Sequence, residues 1–328
     1  FSFIHEALPE IDFDEVSLKT EIFSKSRFAK ALSSPLFVSS MTAGHGDSLN
    51  LNLRLALVAE ELGWAMGVGS QRRELFDSAA SSEWKKIRAR CGDVVLFGNI
   101  GISQLIHTSV DDIRRLFDSL EASAMIVHLN PLQEVLQLEG TPRFRGGLKA
   151  IEALVRDLGG PVVVKETGCG VSGTTAKRLF DAGVHAVDVA GRGGTHWGRI
   201  EGLRSNSMTK SEARLRSGAA ISLGDWGLST VESLRQVVDV SRETATALRE
   251  VWASGGIRSG LDAAKAMALG ATAVGVAQPI MASALISEDE LRLTMSRFDF
   301  ELKSVLFCQG ARDLAEFRSR GRLLESGV

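Results

Sequence analysis

Short β-rich runs recur along the chain, each followed by a stretch with helical spacing. This alternation restricts the fold more than any other feature. The runs are PLFVSS (35–40), AMGVG (65–69), VVLFGN (94–99), AMIVHLN (124–130), PVVVKE (161–166), AVDVAG (186–191), VWASGG (251–256) and AVGVAQ (273–278). Their near-continuous apolar character suits parallel strands covered on both faces. Between them, LNLRLALVAEELG (51–63) places Leu51, Leu55, Val58, Ala59 and Leu62 on one stripe. VDDIRRLFDSLEA (110–122), GGLKAIEALVRDLGG (146–160), SGTTAKRLFDAGV (172–184) and SGLDAAKAMALGA (259–271) behave likewise. Several end at Gly, as a helix C-terminus favours.

Eight such units predict an α/β fold, a (β/α)₈ TIM barrel, with a doubly wound open sheet as the second architecture. No linker divides the chain, so residues 1–328 read as a single domain. Within it, 1–34 is an N-terminal extension and 35–328 the barrel with its C-terminal tail. The segment 197–228 is longer than an ordinary connection. It reads as an elaborated loop after the sixth strand, a functional loop or lid.

Composition excludes several classes. A net charge of -2 with neither sign dominant argues against a nucleic-acid or membrane surface. No apolar run is long enough to cross a bilayer, and the opening FSFIHEALPEIDFDE lacks the regions of a signal peptide. Cys91, Cys169 and Cys308 are far apart, without metal or disulfide spacing, which points to a reducing cytoplasm.

In a barrel the C-terminal strand ends share one mouth, where active sites form. Polar residues gather at these ends: Met41-Thr42-Ala43-Gly44, Gly69-Ser70-Gln71-Arg72, Asn99-Ile100-Gly101, His128 to Glu134, Lys165-Glu166, Gly191 to Thr195, and Gly255-Gly256-Ile257-Arg258. ASGGIRSG (253–260) followed by GATAVGVAQP (270–279) reads as a phosphate site, because a Gly-rich turn and a helix N-terminus offer N–H donors after strands seven and eight. Lys165 ends an apolar strand. It suits a Schiff-base nucleophile, the counter-charge of an anionic cofactor, or a structural pair with Glu166. Glu134 suits a hard cation such as Mg²⁺ that bridges to substrate phosphates, or a solvated acid at a helix start. Arg72 suits a phosphate oxygen, or a surface pair with Arg73. Cys169 reads as a small packing residue rather than a thiol nucleophile. His196 and Trp197 lie near the mouth without an assigned role. His5, His45, His107 and His185 are given no chemistry.

Taken together, ALPEIDFDEV, SSMTAG, AMGVGSQR, HLNPLQE, VVVKETGCGVS, VDVAGRGGTHW, DWGLST and ASGGIRSGLDAAKAMALGA resemble, in order, the type 2, FMN-dependent isopentenyl-diphosphate isomerases. The resemblance spans about residues 5–280. HLNPLQE with GRGGTHW is its most specific part, while GSQR and GGIRSG have relatives among other FMN barrels. It implies FMN across the mouth, its phosphate at Gly255, Gly256 and Arg258 with Gly275, Ala277 and Thr195 close. Met41, Thr42, Ala43, Ser70 and Asn99 would line the ring, and Lys165 would face its N1/O2 edge, which is anionic in reduced flavin. The substrate diphosphate would meet Arg72, His128 and Asn130, with Gln133 by the reacting hydrocarbon and Glu134 holding Mg²⁺. His128, Asn130 and Gln133 are thus the implied catalytic and substrate-binding set, and NADPH the implied reductant. The implied reaction is a 1,3-proton shift from isopentenyl to dimethylallyl diphosphate by a cytoplasmic homo-oligomer, a tetramer or octamer.

The sequence departs from the family in three places. The family usually opens with a basic Arg-Lys pair and a His that bind diphosphate. Nothing equivalent precedes Phe1, so that stretch lies outside this sequence or substrate binding is weaker. Ala43 replaces a common Gly, and His196 a common Ser. Three rival readings share the barrel: an FMN oxidoreductase, a Schiff-base aldolase using Lys165, and a non-catalytic flavin- or phosphate-binding protein.

Overall fold

The computed structural model describes residues 1–42, 48–204, 210–243, 249–320 and 323–324. Eight strands close into one parallel barrel: β1 (Leu36–Val38), β2 (Ala65–Gly67), β3 (Leu96–Gly101), β4 (Ala124–Leu129), β5 (Val162–Glu166), β6 (Ala186–Asp188), β7 (Glu250–Ala253) and β8 (Ala273–Val276). Neighbours in sequence pair in space, and β8 returns to β1 through Gly275 opposite Phe37. The expected (β/α)₈ architecture is therefore observed, and the open sheet is not. Several strands are shorter than their apolar runs. PLFVSS contributes only Leu36–Val38, because Ser39 and Ser40 already turn into the mouth.

The helices lie where the apolar stripes place them, among them Ser48–Leu62, Val110–Ser119, Gly147–Asp157, Gly173–Asp181 and Gly260–Ala268. Three are started by a serine one residue ahead. The hydroxyls of Ser109, Ser172 and Ser259 accept from the N–H of Asp112, Thr175 and Asp262. A side-chain acceptor at this position satisfies a donor that the first turn leaves unpaired.

Side chains on a strand alternate between two cores. The outward set packs under the helices: Leu36 and Val38, Val162 and Val164, Val251 and Ala253. The inward set fills the barrel: Phe37, Ala65, Phe97, Ala124, Ile126, Val163, Ala186, Trp252 and Ala273. Trp252 carries most of this filling, with ring centroids 5.2 Å from Phe37 and 5.3 Å from Phe97. Below, a hairpin from the N-terminal extension (Thr20–Ile22 with Lys30–Leu32) brings Phe23 to 5.6 Å from Trp252. Glu250 fastens it, accepting from Phe23 N and, at 2.8 Å, from Trp252 Nε1. The barrel is thus plugged at its N-terminal end.

The described residues of the elaborated stretch 197–228 are mostly helical. Trp197–Leu203 and Lys210–Ser222 pack on each other, and the first also packs on the helix Pro131–Leu136. Its base is closed by a parallel bridge between Arg192 and Ser229.

Candidate active site

Stepping two residues along each strand from the apolar inward layer gives the next inward layer. From Phe37 the step reaches Ser39, from Phe97 Asn99, from Ile126 His128, from Val163 Lys165, from Ala186 Asp188, from Trp252 Ser254 and from Ala273 Gly275. The layer facing the mouth is therefore polar because of the strand period, and its members become neighbours through register. His128 pairs with Lys165, and Lys165 with Asp188.

Above this layer lies a cavity of ≈ 850 Å³. Of the predicted cofactor residues, Met41, Thr42, Lys165, Thr195, Gly255, Gly256, Arg258, Gly275 and Ala277 line it. Ser70 and Asn99 are not among its walls, nor are Arg72, His128, Asn130, Gln133 and Glu134. Ala43 lies outside the described residues. The buried hydroxyls of Ser39, Ser40 and Thr42 have no hydrogen-bond partner, and all three residues line the cavity. Buried polar groups left unpaired in a wall are the mark of a place that a polar ligand completes.

The glycines of the two upper loops serve close backbone approach. A Cβ on Gly255 would stand 2.3 Å from Gly191 O, and one on Gly194 2.4 Å from Gly256 N. Gly255 also has a φ of +93°, which favours glycine. Thr230 Oγ1 donates to Gly255 O at 2.7 Å, and Arg258 donates to Gly193 O at 2.6 Å. Arg258 thus staples the two loops together. The first donors of the following helix are already used: Arg258 N donates to Asp262, Gly260 N to Glu301, and Asp262 N to Ser259. Any phosphate bound here relies on the turn's own N–H groups more than on that helix N-terminus.

Lys165 is 8% exposed and donates to Glu166 O at 2.8 Å; Asp188 Oδ2 stands 3.8 Å away. Glu166 turns its carboxylate to the N–H groups of Thr167 and Cys169, and burial pushes it up to about 7. The Cys169 thiol is pushed up to about 12, first by burial and then by Glu166. Its Sγ lies 3.9 Å from His196 Nε2, but so high a value keeps it protonated, in line with the packing role.

His128 has a fixed tautomer. Asn99 Nδ2 donates to Val68 O at 3.1 Å, which turns Asn99 Oδ1 toward His128 Nδ1 at 2.9 Å. The imidazole therefore carries its proton on Nδ1 and presents Nε2 as an acceptor. Burial, then the Lys165 charge, lowers its pKa to about 4.

The polar group that follows β4 forms one network at the start of Pro131–Leu136. Asn130 Nδ2 donates to Gln133 Oε1 at 3.2 Å and to Glu134 Oε1 at 3.1 Å, leaving the buried Asn130 Oδ1 without a partner. Thr141 N donates to Glu134 Oε2. Glu134 is buried, yet its hydrogen-bond partners are neutral. Such a carboxylate is costly without a cation. Among the described residues no cluster of three or more His, Cys, Asp and Glu could hold a metal, so protein ligands alone do not complete a site. Gln133 Nε2 donates to Glu201 Oε1 at 3.3 Å, and Arg204 pairs with Glu201 at 2.9 Å. Arg72 is exposed at the start of the turn Arg73–Leu75.

Sequence reasoning missed Asp188, Ser254 and Glu201, all buried, and the wall residues Ser39 and Ser40. The two-residue step would have found Asp188 and Ser254. Glu201 reaches Gln133 only because Trp197–Leu203 folds back over Pro131–Leu136.

Comparison with known proteins bears on the family and the fold. Residues 129–323 match the model of the FMN-dependent dehydrogenase family. The chain is similar to the isopentenyl-diphosphate delta-isomerase of Bdellovibrio bacteriovorus, 48% identical over 97% of this chain and 88% of the relative. It is likewise similar to that of Legionella pneumophila strain Paris, 47% identical over 98% and 89%, and to that of a Synechocystis species, 42% identical over 95% and 85%. In fold it is similar to a lactate oxidase of Pediococcus acidilactici, with a TM-score of 0.66, 16% identity and coverage of 97% and 82%. A mandelate oxidase variant solved with an FMN adduct gives a TM-score of 0.62, 20% identity and coverage of 96% and 85%.

Proposed function

The chain belongs to the isopentenyl-diphosphate delta-isomerases of the FMN-dependent type, and on that premise we propose how its residues serve the reaction. In this reading the whole chain is one FMN-binding domain that converts isopentenyl to dimethylallyl diphosphate by a 1,3-proton shift. The observation that carries it is the joining of two walls. Lys165 lines the cavity and pairs across strands with His128, and the strand of His128 runs on into Asn130, where the network of Asn130, Gln133, Glu134 and Glu201 begins.

The cavity fits FMN. Ser39, Ser40 and Thr42 supply unpaired hydroxyls, the Gly255–Gly256 turn and Thr195 supply donors for a phosphate, and Lys165 supplies a positive charge. Met41, Gly275 and Ala277 shape the wall. Asn99, which is not a wall residue, orients His128 instead. Reduced FMN supplies the acid and base of the proton shift, so the protein's part is to bind, orient and exclude water.

The residues divide that part between them. His128 offers Nε2 as an acceptor and stays uncharged, so it adds no second positive charge beside Lys165. Gln133, tied to Asn130 on one side and Glu201 on the other, is fixed beside the hydrocarbon. Glu134 fits Mg²⁺, because it is a buried acid with neutral partners and lies next to the unpaired Asn130 Oδ1. A hard cation of this kind prefers oxygen ligands and takes its remainder from diphosphate and water. Arg72, exposed, suits the diphosphate's outer oxygens. NADPH is the reductant, and the enzyme is a cytoplasmic homo-oligomer; these points rest on the family resemblance.

The test is an absorbance spectrum of purified protein followed by an isomerase assay under reducing conditions with Mg²⁺ in D₂O. A flavin spectrum that bleaches on reduction, with deuterium entering substrate, is expected. Flavin with net substrate oxidation and no exchange would instead identify an FMN oxidoreductase on the same barrel.

A further inference from the structure

A buried acid stands beside Lys165. Asp188 is 1% exposed and stands in the same inward layer, one strand over. Ser254, the corresponding inward residue after β7, reaches both of its oxygens, at 2.7 Å to Oδ1 and 3.0 Å to Oδ2. Ala190 N adds a third contact to Oδ1 at 3.3 Å. These contacts hold the carboxylate with Oδ2 toward the Lys165 ammonium, 3.8 Å away.

That separation has a consequence. At 3.8 Å the two charges interact strongly in a dry interior, yet the distance is too long for a hydrogen bond. One ammonium proton goes to Glu166 O, and Asp188 takes none outright. Because Lys165 lines the cavity, the remaining donors stay available to a ligand there. The acid thus compensates the lysine's charge without consuming its hydrogen-bonding capacity.

We propose that Asp188, fixed by Ser254, is a positioning residue that holds the Lys165 ammonium toward bound flavin and limits how strongly that ammonium favours the reduced form. The inference rests on FMN occupying the cavity. Reduction adds negative charge to the flavin. An uncompensated Lys165 would stabilise that charge fully, whereas the Lys165–Asp188 pair does so only in part.

The experiment measures the midpoint potential of FMN bound to the purified full-length protein, together with its dissociation constants for oxidised and reduced FMN. Asp188→Asn keeps the size and the hydrogen bond from Ser254 but removes the charge. Its potential is expected to shift to more positive values, with reduced FMN gaining affinity over oxidised FMN on the order of tenfold. Asp188→Glu restores the charge and should return the potential toward wild type. In a Lys165→Met background the Asp188→Asn shift should shrink, because the acid acts through the lysine. A potential for Asp188→Asn that is unchanged or more negative, with flavin bound, overturns the inference and leaves the proposed function standing. An equal shift with and without Lys165 overturns the positioning role, since the carboxylate would then act on the flavin directly. Wild-type protein that takes up no FMN overturns both. If Asp188→Asn does not fold, Ser254→Ala, which frees the carboxylate, carries the same comparison, and no shift there counts equally against it.

Discussion

His128 gives the most quantitative expectation. Burial is the larger cause of its displacement and the Lys165 charge the smaller, and together they bring it from 6.5 to about 4. A displacement of about 2.5 in pKa corresponds to about 3 kcal/mol against protonation. The ring edge remains partly accessible, so this is an upper figure. As pH falls below about 6.5, the unfolded chain takes up a proton that the native imidazole refuses until about 4. The native state therefore binds fewer protons across that window, and this group costs stability as pH falls from about 6.5 to 4, the full cost being reached below it. An NMR titration of the imidazole nitrogens, with the resonances identified by their loss in His128→Gln, reads both pKa and tautomer. The wild type should stay neutral with the proton on Nδ1 down to about pH 4. Asn99→Asp replaces a neutral acceptor at 2.9 Å by a charged one and should raise the value. Lys165→Met should raise it less, leaving it below 6.5, because burial remains. A wild-type ring that titrates near 6.5, or that carries its proton on Nε2, would refute the reasoning.

Two further outcomes test other parts of the site. Glu134→Ala should raise the Mg²⁺ concentration needed for half-maximal turnover by about tenfold or more while leaving flavin content unchanged, and an unaltered Mg²⁺ profile would remove Glu134 from the metal. Gly255→Ala should weaken FMN retention and lower the melting temperature, because its Cβ would stand 2.3 Å from Gly191 O at a φ of +93°. A cost of about 1–3 kcal/mol is expected from calorimetry, and wild-type stability would show that the two loops can part freely.

The barrel was legible because eight apolar runs with β–α spacing admit few arrangements; each strand overlaps its run, with β3 extending past it to Gly101 and β7 starting one residue before it at Glu250. The cavity residues were legible because they sit at strand ends or in Gly-rich turns, as Lys165, Thr195 and Gly255 do. Two things were not. The arrangement of the Gln133 network beside the cavity depends on where Trp197–Leu203 packs, and that helix lies in a segment whose apolar pattern is weak. Asp188 was hidden for a different reason. A single acid in AVDVAG looks like any strand-end acid until register sets it opposite Lys165. The strand period alone would have placed it inward, two residues beyond Ala186, as it places Lys165 two beyond Val163.

Two of the buried charges around the mouth have a counter-charge supplied by the protein. Lys165 is balanced by Asp188, and Glu201 by Arg204. His128 avoids the question by staying neutral. Glu166 is held by two backbone N–H groups, and Glu134 by an amide and a backbone N–H, with no ion pair to Glu134 among the described residues. A buried acid in that condition is stabilised when a cation arrives. The same network therefore explains why metal and diphosphate would bind together. The cation offsets Glu134 on one side and the substrate's negative charge on the other, so each makes the other's burial less costly. On this reasoning Mg²⁺ affinity measured without diphosphate should be weak and should rise when inorganic diphosphate is added. Equal affinity in the two conditions would show that Glu134 binds its cation alone.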